Sequence, residues 1–132
     1  MEEQLGKHIF NDLGEGIAKL TIHGVMTPPE GVAFVKRLNA FQDANEDAAL
    51  IVDMTDAASL EAGARRVIID HERARPYGVC FVRASFAIRA LVGLMINASK
   101  LLGQAFPTHF CEDEAAAVKW CRTFPERRVR RQ

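Results

Sequence analysis

Ala48-Ala49-Leu50-Ile51-Val52, followed by Asp53-Met54-Thr55, is the stretch that decides the fold. Five apolar residues in a row, after a charged loop, are what a strand buried on both faces looks like. A strand of that kind needs layers on either side of the sheet, so the flanking sequence should supply helices.

It does so on the amino-terminal side. Thr27-Pro28-Pro29-Glu30 places a capping threonine, proline at the first helical position and glutamate three residues after the cap. Phe34, Val35, Leu38 and Phe41 then recur at helical spacing, which predicts an amphipathic helix over about 28–44. Before it, Lys7 to Phe10 and the alternating Ile17 to Val25 flank Asn11-Asp12-Leu13-Gly14-Glu15-Gly16, a turn-prone segment. The pair reads as an antiparallel hairpin opening a sheet.

On the carboxyl-terminal side, a second helix is expected from Ser59 or Leu60, with Leu60, Ala64, Val67, Ile68 and His71 on one stripe. Pro76-Tyr77-Gly78 should end it, and Val79 to Val82 is a further buried strand. Ser85 can cap a third helix that carries Ile88, Leu91, Val92, Met95, Ile96, Leu101 and Leu102 and closes on Gly103. Phe106 to Cys111 reads as a last strand, and Pro107 marks it as an edge. Glu112-Asp113-Glu114 opens a final helix through Trp120. The expected order is β-β-α-β-α-β-α-β-α: an α/β fold with a mostly parallel central sheet and an opening antiparallel hairpin. We place one domain at 1–124 and a frayed basic tail, with four arginines, at 125–132.

Composition narrows the function. A chain of 132 residues with 48% hydrophobic and 26% charged content is an ordinary globular domain. Zero net charge gives no whole-protein field to gather nucleic acid or an anionic membrane. The apolar stretch Phe86 to Leu102 is broken by Arg89, Asn97 and Lys100, which argues for a buried helix and against membrane insertion. The acidic start Met1-Glu2-Glu3-Gln4 lacks the apolar core of a signal peptide, and the three cysteines lack metal-ligand spacing. These features point to the cytoplasm.

The order of elements, with three local motifs, resembles the STAS-type fold of anti-sigma-factor antagonists, in particular its SpoIIAA-like branch. The motifs are Gly24-Val25-Met26-Thr27 leading into the first helix, Leu50 to Thr55 as an apolar strand ending in aspartate, and Phe110 to Trp120 as a Phe–acidic–Ala–Trp terminal helix. The resemblance spans about residues 7–122 and implies a bacterial, non-enzymatic regulatory domain that contacts another regulatory protein, such as an anti-sigma factor or its kinase. Members carry a phosphorylated serine in an Asp-Ser-Ser-Gly stretch at the start of the second helix. Here that position is Glu61-Ala62-Gly63-Ala64, without a hydroxyl, so the phospho-switch does not carry over residue for residue.

Ser59 and Thr55 are the nearest candidate phosphoacceptors. For Ser59 the plainer reading is a helix N-cap, worth about 1 kcal/mol. A phosphate there would add nearly two charges to a partner-facing loop. Asp53 and Asp56 flank Thr55 at the carboxyl end of a central strand, where α/β folds place ligand sites, though turn formation is the plainer reading. The expected partner-binding surface is the loop Asp53–Ser59, with Asp53, Thr55 and Ser59, together with Arg65. The third helix is apolar nearly all round, which fits either a homodimer contact, with Leu91, Leu94 and Met95 as candidates, or burial beneath the carboxyl-terminal tail. Neither a metal site nor a cofactor is expected, because His8, His23, His71 and His109 form no ligand grouping. Two other readings stand beside the regulatory one. One is a carrier with an apolar pocket between the sheet and the third helix, holding a lipid or nucleotide. The other is a small hydrolase using Cys111 and His109, which as residues two apart on a strand share a face.

Overall fold

The computed structural model describes residues 2–45, 47–71, 78–101 and 107–131, with 70–71, 99–101 and 124–131 described by backbone alone. The chain forms a mixed six-stranded sheet in the order β1-β2-β3-β4-β5-β6. Strands β1 (Glu2–Leu5), β2 (His8–Gly14) and β3 (Ile17–Met26) are antiparallel neighbours. From β3 onward, β4 (Ala49–Leu60), β5 (Gly78–Val82) and β6 (Thr108–Cys111) are added in parallel. The crossovers are α1 (Pro28–Ala44), α2 (Ala62–His71) and α3 (Phe86–Leu101), and α4 (Glu114–Arg131) follows β6.

Strand order and crossover hand together decide where the helices go. Each parallel strand is laid down beside the last in the same direction, and crossovers share one hand, so α1, α2 and α3 fall on one face. The apolar clusters agree. Leu20, Leu50, Val52, Met54, Val79 and Phe81 pack with Phe34, Leu38, Ala64, Ile88 and Val92 of those helices. The alternate residues Ile17, Ala49, Ile51, Cys80, Val82 and Cys111 face Ala117, Trp120 and Cys121 of α4. The run that decided the fold is thus buried on both sides, as expected, and β5 is buried along its whole length.

Several expectations hold closely. Helix α1 begins on the proposed cap: the Thr27 N–H and hydroxyl both donate to Glu30 Oε1, at 2.9 and 3.0 Å. Ser85 Oγ accepts from the Ile88 N–H at 3.2 Å at the start of α3. β6 is an edge strand preceded by Pro107. The helix stops proposed at Pro76-Tyr77 and at Gly103 lie outside the described residues.

Four features differ. Strand β1 was not anticipated, because an exposed edge strand of Glu2-Glu3-Gln4 carries no apolar signal. β2 runs through Asn11 and Asp12 to Gly14, leaving a tight turn in which Gly14, Glu15 and Gly16 all have positive φ. β4 continues to Leu60, so the segment Asp53–Ser59 is strand where a loop was expected. The reason is its neighbour: β3 is ten residues long, and β4 follows it to Met26↔Leu60 by absorbing two extra residues as bulges. The stretch taken as a frayed tail continues α4 in helical backbone to Arg131.

A polar hub fastens the antiparallel end to the helical layer. Glu30 accepts from the Lys7 N–H at 3.0 Å and from Lys7 Nζ at 2.9 Å, besides Thr27. His8, fully buried, accepts the His23 N–H on Nδ1 at 3.0 Å, which places its proton on Nε2, 3.3 Å from Glu30 Oε1. Gly6 turns the chain around this carboxylate with φ +67, and a Cβ there would overlap the Glu30 side chain.

Candidate functional site

The surface expected to capture a partner is only partly assembled. Asp53 sits where β4 last pairs with β5, and its Oδ1 accepts from the Thr55 N–H at 3.0 Å and the Thr55 hydroxyl at 2.7 Å. Lys19 Nζ lies 3.8 Å from Asp53 Oδ2 and also pairs with Glu114. Partial burial pushes the Asp53 carboxyl up, but the two bonds from Thr55 and the Lys19 charge outweigh it and hold the group below its ordinary range. This is an Asx turn that closes the first bulge of β4, and Thr55 stands exposed on it. Its geometry needs no ligand to explain it.

Ser59 does not cap α2. It is exposed within β4, opposite Val25, and Glu61 holds the position before the helix, its carbonyl accepting the Arg65 N–H at 3.0 Å. Ser59 lies six positions along the strand from Asp53, a span of roughly 15–20 Å. Arg65 is half-buried on α2. The structure therefore joins Asp53 to Thr55 in mid-strand and carries Ser59 on to the carboxyl end of β4.

The residues named for self-association also divide. Leu91 and Met95 turn inward against the core, whereas Leu94 is 65% exposed. Phe86, at the start of the same helix, is 89% exposed and was not singled out from sequence. The available signal was the charge count, since α3 has only Arg89 and Lys100 in sixteen residues.

For the Cys111–His109 reading, the two do share the α4 face. However, the His109 ring lies parallel to Trp120, centroids 5.5 Å apart, and Cys111 Sγ is 2.7 Å from Cys80 Sγ in the buried layer beneath α4. Burial, with the neighbouring Cys111 thiol, pushes the Cys80 thiol up, and burial pushes Cys121 up to about 12. Among the described residues no group of three His, Cys, Asp or Glu side chains is placed to hold a metal ion.

A concave feature lies on the opposite face of the sheet. A cavity of about 70 Å³ opens between the sheet and the helical layer. Leu20, Leu50, Val52, Val79 and Phe81 form its floor, Phe34 and Ile68 line it from α1 and α2, and Val92, Met95 and Ile96 wall it from α3. Every lining side chain is apolar. One water takes up about 10–15 Å³ of such space and needs two or more polar partners. The space is roomy enough for several waters and suited to none, so its chemistry selects hydrocarbon. No protein-family model matches the chain, and no curated protein matches it either.

Proposed function

We infer that the chain is a non-catalytic binding domain whose ligand inserts an apolar chain between the sheet and α1–α3. The observation that carries this is the cavity, lined entirely by apolar side chains and walled on one side by α3. Of the two ligand classes expected for a carrier, the lining favours lipid over nucleotide. A base or phosphate would bury polar atoms without partners, at a cost of several kcal/mol. Each methylene withdrawn from water contributes about 0.8 kcal/mol, so a few-carbon segment alone gives millimolar affinity, and tighter binding draws on contacts at the rim.

The test is native mass spectrometry of protein purified gently from its own host, joined to calorimetric titration with decanoic acid. A retained small molecule and saturable binding, lost in Val92→Phe, which fills the space from α3, are the expected results. A bare mass together with no saturable heat would sink the reading.

A second reading, regulation through capture of another protein in the STAS manner, is favoured by one observation. Thr55 presents an exposed hydroxyl on a bulge at the carboxyl end of the parallel strands, with Lys19 near its Asp53 partner. Fragmentation of the same native protein decides it: a phosphate localised to Thr55 supports the switch, and an unmodified Thr55 in host-purified protein, with no protein attached, opposes it.

A further inference from the structure

We propose that the outer face of α3 docks on an anionic bilayer surface, and that the bilayer is the source of the hydrocarbon the cavity accepts. The proposal rests on the cavity reading and adds the partner from which the ligand comes.

The face is defined by exposure. Phe86 is 89% and Leu94 65% exposed, with Ala87 and Ala90 exposed between them. Gly93 has open space where a Cβ would be. Asn97 is the polar residue further along this face. A helix that is apolar on its solvent side, as well as against its own core, has its outer face matched to a non-aqueous neighbour. Phe86 and Leu94 are two turns apart, about 12 Å along one side, so both reach a flat surface together.

Charge then separates a bilayer from other occupants. The charged residues of α3 are Arg89 and Lys100, both basic, and exposed Arg83 precedes the helix. Arg89 is 3.9 Å from Glu112 and its guanidinium lies over the Phe110 ring, which keeps it at the margin of the apolar face. Apolar anchors bordered by cations, with no carboxylate on the helix, suit an interface of anionic headgroups above hydrocarbon. No described helix is long and apolar enough to cross a membrane, so the contact is peripheral. The inner side of the same helix supplies Val92, Met95 and Ile96 to the cavity wall, so one element separates the cavity from the surface it would rest on.

The experiment is co-sedimentation of the full chain with vesicles of phosphatidylcholine alone or with about one-third phosphatidylserine, run beside titration with decanoic acid in vesicle-free buffer. Wild type is expected to sediment with the anionic vesicles and to be released by salt. Phe86→Ser/Leu94→Ser should weaken this by about tenfold or more, the loss of two apolar anchors, while decanoic acid still binds. Because both positions are solvent-exposed, the double variant keeps its fold, checked by its thermal transition. Absence of vesicle binding with decanoic acid binding intact overturns the docking and leaves the cavity reading standing. Vesicle binding without decanoic acid binding overturns the cavity reading and, with it, the delivery role. A vesicle-free dimer that the double variant dissociates, in a wild type that ignores vesicles, assigns the face to a second copy and overturns the proposal.

Discussion

The two faces of the sheet are both apolar where the strands run parallel, but they are covered by different means. Beneath α4 the sheet offers small residues, Ala49 and Cys80, and the helix answers with Ala117, Cys121 and the broad ring of Trp120. Small side chains on both partners bring helix and sheet close, and sulfur fills the remaining gaps. Across the sheet the coverage is by three helices and by long side chains, with Met26, Met54, Met95 and Phe34 around about 70 Å³ of space. Methionine is unbranched and repacks readily, so this face can change shape around a guest. The lesson is that a ligand site belongs on the face built of adaptable side chains, and stability on the face built of small ones.

The largest expected effect tests that division directly. Trp120→Ala, which strips the α4 face of its main contact, should cost about 3–5 kcal/mol in denaturant unfolding, whereas Met95→Ala, half-buried beside a space, should cost no more than about 2. Equal losses would break the contrast. Enlargement sharpens it from the other side. Ala117→Leu inserts bulk where exposure is 0% and should cost about 1–3 kcal/mol, while Val92→Leu adds one methylene next to the cavity and should be close to neutral. The buried thiols give a chemical version of the same test. With Cys80 raised and Cys121 at about 12, alkylation near neutral pH should be slow in the folded protein and rapid once it is unfolded.

The face covered by α1–α3 also carries a pH-dependent group, the hub at its edge. Burial lowers the His8 pKa below its ordinary 6.5 despite the nearby Glu30 carboxylate, so the unfolded chain binds the proton more readily. Stability from this group is full above about 6.5 and falls as pH drops below it. Desolvation pushes Glu30 up from 4.5, but the donors from Thr27 and Lys7 win and hold it far below. Its contribution is present above 4.5 and lost as pH falls under that value. Two successive losses on acidification are therefore expected in unfolding free energy, and Glu30→Gln should remove the lower one at a cost of about 1–3 kcal/mol at neutral pH. A wild-type profile flat from neutral to pH 5 would contradict the His8 assignment.

What could be read from the chain follows the same physics. Strands buried on both faces and helices with capping residues announce themselves locally: Leu50-Ile51-Val52, Val79 to Val82 and Thr27-Pro28-Pro29-Glu30 each needed only their own residues. Strand β1 did not, because Glu2-Glu3-Gln4 pairs through its backbone, while Glu2 and Gln4 face water and Glu3 is held by Arg37 from α1. The extension of β4 did not either, since Asp53 to Ser59 is polar, turn-prone sequence held in a strand by the length of β3. The surplus of apolar residues on the third helix pointed to a second chain or the tail as its cover, and a pocket against it stood only as the alternative carrier reading. That Met95 lines it while Phe86 and Leu94 face outward depends on the helix's rotation, which packing sets.

The smallest effect concerns Ser59, and it separates a cap from a strand hydroxyl. A side chain that accepts a bond from an otherwise unpartnered helix N–H stabilises by about 1 kcal/mol, which is the expected loss for Asp113→Ala, because Asp113 Oδ1 accepts the Ala116 N–H at 2.8 Å at the start of α4. Ser59 is exposed in β4, with its backbone paired to β3 and the start of α2 beyond Leu60 and Glu61. Ser59→Ala should therefore change unfolding free energy by less than about 0.5 kcal/mol. Ser59→Val should be neutral or slightly stabilising, since a β-branched side chain suits an extended backbone. In a helix cap valine would be among the worst choices, so a loss of 1 kcal/mol or more in Ser59→Val would return Ser59 to the head of α2 and shorten β4 to the strand its apolar run alone predicted.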